Sequence, residues 1–195
     1  METLKQYYVA VDRQQLKMGT LVDLMKVLGR KQGLPLIMCC CSRDSLDAVC
    51  SQFSSSQHMS LSCLHSDLSE AERFSILERF QKAVAEWNRS LEAENTDLET
   101  QEAHSHLLVV TDACLPSQAL AESPLSARLL INYDLPLKKE AYQRRLAACL
   151  GYPTVGSLGI VISMLVGGEV ALLRNIEEGC GIVIEEMPIQ IFELL

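Results

Sequence analysis

Arg128-Leu129-Leu130-Ile131-Asn132-Tyr133-Asp134-Leu135-Pro136 decides how this chain is read. Its apolar run is a short buried strand, and Asp134 with Pro136 marks the strand end. Lys138 to Leu150 follows as a helix, with Tyr142, Leu146 and Cys149 at inward spacing. Gly151, Pro153 and Gly156 then break the chain, and Leu158 to Leu165 is a second apolar strand. Strand, helix, strand places a loop rim beyond the strand ends, where an α/β fold puts its chemistry.

The same alternation extends in both directions. Gln6 to Val11 is rich in β-formers and reads as the first strand. Met18, Leu21, Val22, Met25 and Leu28 form the apolar stripe of a helix ended by Gly29 and Gly33. Leu34 to Cys41 is a continuous apolar run, which suits a parallel strand covered on both faces. Asp44 to Phe53 is a helix with Leu46, Val49, Cys50 and Phe53 inward, and Met59 to Leu64 a strand. Ser69-Glu70-Ala71-Glu72 is a capping box opening a helix expected to bury Phe74, Leu77 and Phe80. His106 to Thr111 is a strand, and residues 112–127, with Pro116 and Pro124, are a loop. Val170 to Glu178 is a helix with Val170, Leu173 and Ile176 inward, stopped by Gly179, and a last strand is expected at Gly181 to Ile184. The fold class is therefore α/β, one domain over residues 1–195 with a central parallel sheet and helices on both faces.

The 195 residues are 48 % apolar, enough for a substantial core, and carry a net charge of −8. Nucleic-acid binding would need a local basic patch against that field. No apolar run approaches the ~18 residues of a membrane span, and the expectation is no membrane association. No secretory h-region follows Met1. The eight cysteines lack any C-x-x-C spacing, and Cys39, Cys40 and Cys41 are consecutive. They read as buried thiols in a reducing compartment, cytoplasmic or nuclear, and not as a disulfide framework.

Residues 83–104 change character, with Glu86, Glu92, Glu94, Asp97, Glu99 and Glu102 facing few bases. They read as an exposed acidic helical insertion, either a solvated extension or a docking arm centred on Trp87. His104 and His106 share one face of an extended segment, but nothing at a recognised spacing completes a metal site, so no metal is expected. Successive positions on a strand alternate faces, so Cys39, Cys40 and Cys41 cannot converge their sulfurs. Asp112 and Glu122 near Cys114 disfavour a thiolate nucleophile. Arg43, Arg73, Lys138, Lys139, Arg144 and Arg145 are the bases available for an RNA-facing rim; ion pairs with Asp67, Asp134 and Glu140 are the alternative.

The chain resembles the C-terminal RecA-like domain of DEAD-box RNA helicases, most closely the translation initiation factor four-A subgroup. Tyr7 to Val11 and Thr20 to Leu24 match that subgroup's opening strand and helix. Leu64-His65-Ser66-Asp67 with Glu72-Arg73 is similar to its His-Gly-Asp and Glu-Arg. Val110-Thr111-Asp112 resembles the start of motif V. Ile131 to Pro136 repeats a characteristic run, and Ile184 to Pro188 resembles the C-terminal signature. The resemblance implies a RecA-like three-layer fold and, with it, ATP and RNA contacts at the rim.

The departures sit at that rim. The family's motif VI is similar to His-Arg-Ile-Gly-Arg-x-Gly-Arg, and such arginine fingers are worth roughly 10³–10⁵ in rate. Here Arg145 keeps the first arginine, while Ala148 and Gly151 occupy the later two positions. Motif V continues as Leu115-Pro116-Ser117-Gln118-Ala119, without its arginine, glycine or aspartate; Cys40-Cys41 replaces a polar pair in motif IV, and Ser66 replaces a glycine. No G-x-x-x-x-G-K-[ST] loop and no Asp-Glu-Ala-Asp run occurs. The resemblance and these departures together imply a non-catalytic binding module with no cofactor, Arg145 and Asp112 being vestiges of a nucleotide site. Its implied partner is a helical-repeat scaffold protein of the initiation-factor four-G type. Two alternatives stand beside it: residual RNA binding through Arg43, Arg73, Thr111, Arg144 and Arg145, and a C-terminal helicase half acting with a separate first domain.

Overall fold

Among the described residues, seven parallel strands form one sheet in the order β3-β4-β2-β5-β6-β1-β7. The computed structural model describes residues 4–92, 104–151 and 159–195. The strands are β1 (Lys5–Val11), β2 (Pro35–Cys40), β3 (Met59–Leu64), β4 (Ser105–Thr111), β5 (Leu129–Asn132), β6 (Ile160–Val166) and β7 (Glu185–Glu186). The helices are α1 (Lys17–Leu28), α2 (Arg43–Phe53), α3 (Glu70–Glu92), α4 (Lys139–Leu150) and α5 (Val170–Cys180). This is the α/β RecA-like arrangement of a parallel sheet between two helical layers.

Why both faces are apolar is visible along single strands. Leu36, Met38 and Cys40 of β2 join the core under α1 and α2, while Ile37 and Cys39 join the core under α3, α4 and α5. β4 and β5 alternate in the same way, with Leu107 and Val109 on one side and Leu108 and Val110 on the other. The strands therefore carry continuous apolar sequence, because a polar residue on either side would meet a helix. Asn132 and Ser163 break that rule together. They are register partners on β5 and β6, both fully buried, and Asn132 Nδ2 donates to Ser163 Oγ at 3.0 Å. The capping box is formed as expected, with the Glu72 amide donating to Ser69 Oγ and the Ser69 amide to Glu72 Oε2.

Several expectations are corrected. Phe74 is 68 % exposed, because it lies off the α3 stripe that carries Leu77, Phe80 and Val84 into the core. Trp87 is buried, not presented on an arm: α3 runs without interruption to Glu92, and Ala83, Val84 and Trp87 continue its inward stripe. The acidic residues 93–103, like Pro153 and Gly156, lie outside the described residues. In α4 Leu146 is half-buried against the core as expected, and Arg145, not expected there, is a further inward position and fully buried. Val170 is exposed at the start of α5, and that helix passes Gly179 to end at Gly181, whose φ of 64° is the left-handed conformation of a glycine cap. The last strand is the two-residue Glu185–Glu186, because Ile184 is held by Glu177 and faces the core.

Cys50 and Cys63, expected as free thiols, are joined by a disulfide. Met59, Leu61 and Cys63 point from β3 toward α2, and Cys50 lies on the α2 flank that packs back on them. The other six cysteines are free.

Candidate functional site: the carboxyl-end rim

The rim is built where β2, β4 and β5 end. β2 delivers Cys41, β4 delivers Thr111 and Asp112, and β5 runs on into Tyr133 and Asp134. α4 lies across these ends and lowers Arg145 into them. Arg145 is 0 % exposed, so its charge survives only if the rim answers every donor.

The rim does answer. Arg145 Nε and Nη2 donate to Asp112 Oδ1 and Oδ2 at 2.6 and 2.7 Å, a bidentate pair. Nη1 donates to Asn132 Oδ1 at 2.9 Å and to the Asp134 carbonyl at 2.7 Å. Nη2 also approaches Cys41 Sγ at 3.2 Å. A guanidinium has five N–H donors, and these contacts engage them all. Burial opposes its charge, but the Asp112 hydrogen bonds and charge outweigh burial and hold it protonated.

A second buried pair stands behind the first. Lys17, only 2 % exposed, donates to Asp134 Oδ1 at 2.7 Å and sits 4.3 Å from the Tyr133 ring centroid. Asp134 Oδ2 accepts from the Cys41 amide at 3.0 Å. Burial pushes the Asp134 carboxyl up, yet the Lys17 and Cys41 hydrogen bonds bring it below its ordinary value. Burial is also the main reason the Cys40 and Cys41 thiols lie above their usual range, so neither is primed as a nucleophile.

The remaining candidates divide. Arg144 is exposed and donates to the Asp112 carbonyl at 2.9 Å. It lines an open cavity of about 420 Å³ with Cys41, Asp112, Leu137, Lys138, Glu140 and Ala141. Thr111 is half-buried at the end of β4. Arg43 pairs with Asp47 and Asp67, both at 2.8 Å. Arg73 holds Glu122 through Nε and Nη2 at 2.7 and 2.8 Å and the Cys114 carbonyl at 2.9 Å. The Arg73 hydrogen bonds draw the Glu122 carboxyl below its ordinary value. Arg145, Asp112 and Arg144 thus converge, with Thr111 next to Asp112 in the chain, while Arg43 and Arg73 are tied to acids of their own. Among the described residues, no three His, Cys, Asp or Glu side chains gather as a metal site, and no helix is long and apolar enough to cross a membrane.

Position 148 and position 151 have structural occupations of their own. Ala148 is 6 % exposed, and its carbonyl accepts from the Leu125 amide at 2.9 Å. The Cys149 carbonyl accepts from the Ala127 amide, also at 2.9 Å. The end of α4 is therefore closed by the 125–127 loop. Gly151 has φ 76° and ψ −179°, a region essentially reserved for glycine.

Sequence reading missed Lys17, Asn132 and Ser163. A signal for each was present. Lys17 stands four residues before Leu21 on the α1 stripe, and Asn132 and Ser163 are polar residues inside apolar strands.

No protein-family model matches the chain. Its full length is 27 % identical to "ATP-dependent RNA helicase eIF4A" of Schizosaccharomyces pombe, covering 42 % of that protein. It is 28 % identical to "ATP-dependent RNA helicase FAL1" of Phaeosphaeria nodorum, covering 44 %. The chain thus spans about two fifths of the length of these relatives. Among solved structures, the E. coli DEAD-box protein SrmB, bound there to regulator of ribonuclease activity A, superimposes with a TM-score of 0.69 at 16 % identity. That match covers 98 % of this chain and 95 % of the other. The C-terminal domain of the DEAD-box protein Dbp5 gives 0.69 at 18 % identity, covering 95 % and 89 %. The chain is related to DEAD-box RNA helicases and has the RecA-like fold of their C-terminal domain.

Proposed function

We propose that the chain is a non-catalytic, helicase-derived binding module that engages a protein partner through the surface of its RecA-like fold. One observation carries this reading. Arg145, the motif VI arginine the chain retains, is wholly buried and gives all its donors to the rim itself. It has none to offer a γ-phosphate across a cleft. Ala148 and Gly151, standing where the resemblance expects further arginines, carry no charge. The rim keeps its architecture and has turned its surviving charge inward. Neighbouring structures of the same fold, SrmB with RraA and the Dbp5 C-terminal domain with Gle1, were determined bound to proteins, which supports the partner class. A helical-repeat scaffold of the initiation-factor four-G type is the partner the sequence resemblance implies, and a cytoplasmic or nuclear setting goes with it.

The test is binding of the chain to a purified scaffold domain of that type, by pull-down and titration. Saturable binding at micromolar concentration is expected; no binding there sinks this reading.

A second reading is that the chain is the C-terminal half of an ATP-dependent RNA helicase working with a first domain. The full-length match to about two fifths of the relatives favours it. RNA-stimulated ATPase after mixing with an isolated first domain decides between the two. The non-catalytic reading expects a flat signal. Residual RNA binding rests on the exposed Arg144 and Lys138 at the rim cavity, and would show as binding that weakens steeply with salt.

A further inference from the structure

The eight cysteines occupy three kinds of place. Cys39, Cys40 and Cys149 are 0 % exposed, and the Cys39 and Cys149 sulfurs, 3.8 Å apart, are sealed between β2 and α4. Cys41, Cys114 and Cys180 are free thiols on separate elements. Cys50 and Cys63 differ from all of these: they are bonded across the α2–β3 seam, and both are half-buried, so solvent-borne thiols and disulfides can reach them.

We propose that Cys50 and Cys63 are a reversible redox lock on the α2–β3 corner of the rim. Three features of the seam support this. First, the fold does not depend on the bond. Among the described residues β3 is an edge strand paired with β4 alone, and α2 is already seated by Leu46, Val49 and Phe53, so the reduced chain keeps its packing. Second, the bond lies one step from the rim. Cys63 is the penultimate residue of β3, and the His65–Asp67 turn follows directly. Third, the other tie across the same seam is the Arg43–Asp67 ion pair, with side chains 41 % and 71 % exposed. Exposed pairs of this kind hold weakly. With the disulfide formed, α2 and β3 are fixed at mid-helix and at the rim. With it reduced, the tie between Arg43 and the turn among the described residues is the exposed Arg43–Asp67 ion pair.

The chemistry is ordinary thiol–disulfide exchange with a low-molecular-weight disulfide such as glutathione disulfide. One cysteine thiolate attacks a glutathione sulfur and releases the first glutathione thiolate. The second cysteine thiolate attacks the mixed disulfide and releases the other. Two protein thiols lose two protons and two electrons, and one glutathione disulfide becomes two glutathione thiols. Reduction by excess glutathione runs the same steps backward.

This inference does not depend on the partner. The full chain is equilibrated in buffers of graded glutathione to glutathione-disulfide ratio, alkylated, digested and analysed by mass spectrometry. One linked peptide pair, joining Cys50 to Cys63, is expected to appear and disappear reversibly, and a C50S/C63S variant to show no linkage over that range. Hydrogen exchange of the oxidised wild type should be slower in α2 and residues 65–67 than in the reduced wild type, by on the order of tenfold. Comparing two states of one wild-type chain removes any dependence on how the variant folds. Complete alkylation of all eight cysteines at every ratio overturns the proposal. So does a linkage between other cysteines, or identical exchange in the two states.

Discussion

Arg145 and Asp112 meet as a bidentate pair, 2.6 and 2.7 Å, with the arginine side chain at 0 % exposure and the aspartate at 22 %. Removing Arg145 leaves the half-buried Asp112 carboxylate, the Asn132 amide oxygen and the Asp134 carbonyl without their donor, which costs about 2–4 kcal/mol. Arg145→Met is therefore expected to lower stability by that amount in urea unfolding. Arg145→Lys should recover little, because a single ammonium cannot span Asp112, Asn132 and the Asp134 carbonyl together. A conventional exposed cleft arginine would tolerate both changes within about 0.5 kcal/mol. The two outcomes separate an inward structural charge from an outward functional one.

That pair also shows how far the sequence could be read. The elements were legible because each core strand is a continuous apolar run and each helix has a clean stripe. The rim was legible as a place, because Ile131 to Pro136 ends a strand and precedes a helix. The direction of Arg145 was not legible. Spacing puts Tyr142, Arg145, Leu146 and Cys149 on one side of α4, and hydrophobicity picks out Tyr142, Leu146 and Cys149 but passes over Arg145. Only the polar floor made by Asn132, Ser163 and Asp112, from three different strands and their ends, lets the arginine be buried beside them. Phe74 failed for the opposite reason: an aromatic residue beside a stripe looks buried until the helix rotation is fixed by Leu77, Phe80 and Val84.

The depressed carboxyls make the protein acid-labile in a defined window. Asp134 and Glu122 both lie below their ordinary values in the folded chain, so the unfolded chain binds protons first. Their stabilisation is complete above the unfolded value, about 4, and is lost as pH falls through the lower folded values. Urea midpoints should be flat from pH 7 to 5 and fall below about pH 4. In D134N the pH dependence below 5 should shrink, whatever its stability at neutral pH. An unchanged slope in D134N would show that Asp134 does not contribute to it.

Placing arginines at positions 148 and 151, where the sequence resemblance expects them, should fail for structural reasons. Ala148 is buried at the closed end of α4, so Ala148→Arg places a long cation where the 125–127 loop packs. Gly151 has φ 76°, and any side chain there is strained by about 1–3 kcal/mol. Gly151→Ala isolates the backbone effect and should lower the thermal midpoint measurably. The A148R/G151R variant should be less stable than either single change. It should also gain no ATPase with an isolated first domain, and measured turnover would show that missing charge alone had silenced the rim.

Trp87 is the chain's one tryptophan, so its fluorescence reports on the core and not on a docking arm. Emission should be blue-shifted and poorly quenched by acrylamide in the native state, and move red on unfolding. Its indole Nε1 is buried with no hydrogen-bond partner among the described residues. Trp87→Phe removes that donor while keeping an aromatic ring in place, and should cost far less than Trp87→Ala, for which a core cavity predicts about 3–5 kcal/mol. A partner that binds the exposed surface should leave the emission unchanged. Strong quenching by acrylamide in the native protein, or an alanine variant as stable as the wild type, would return Trp87 to the surface.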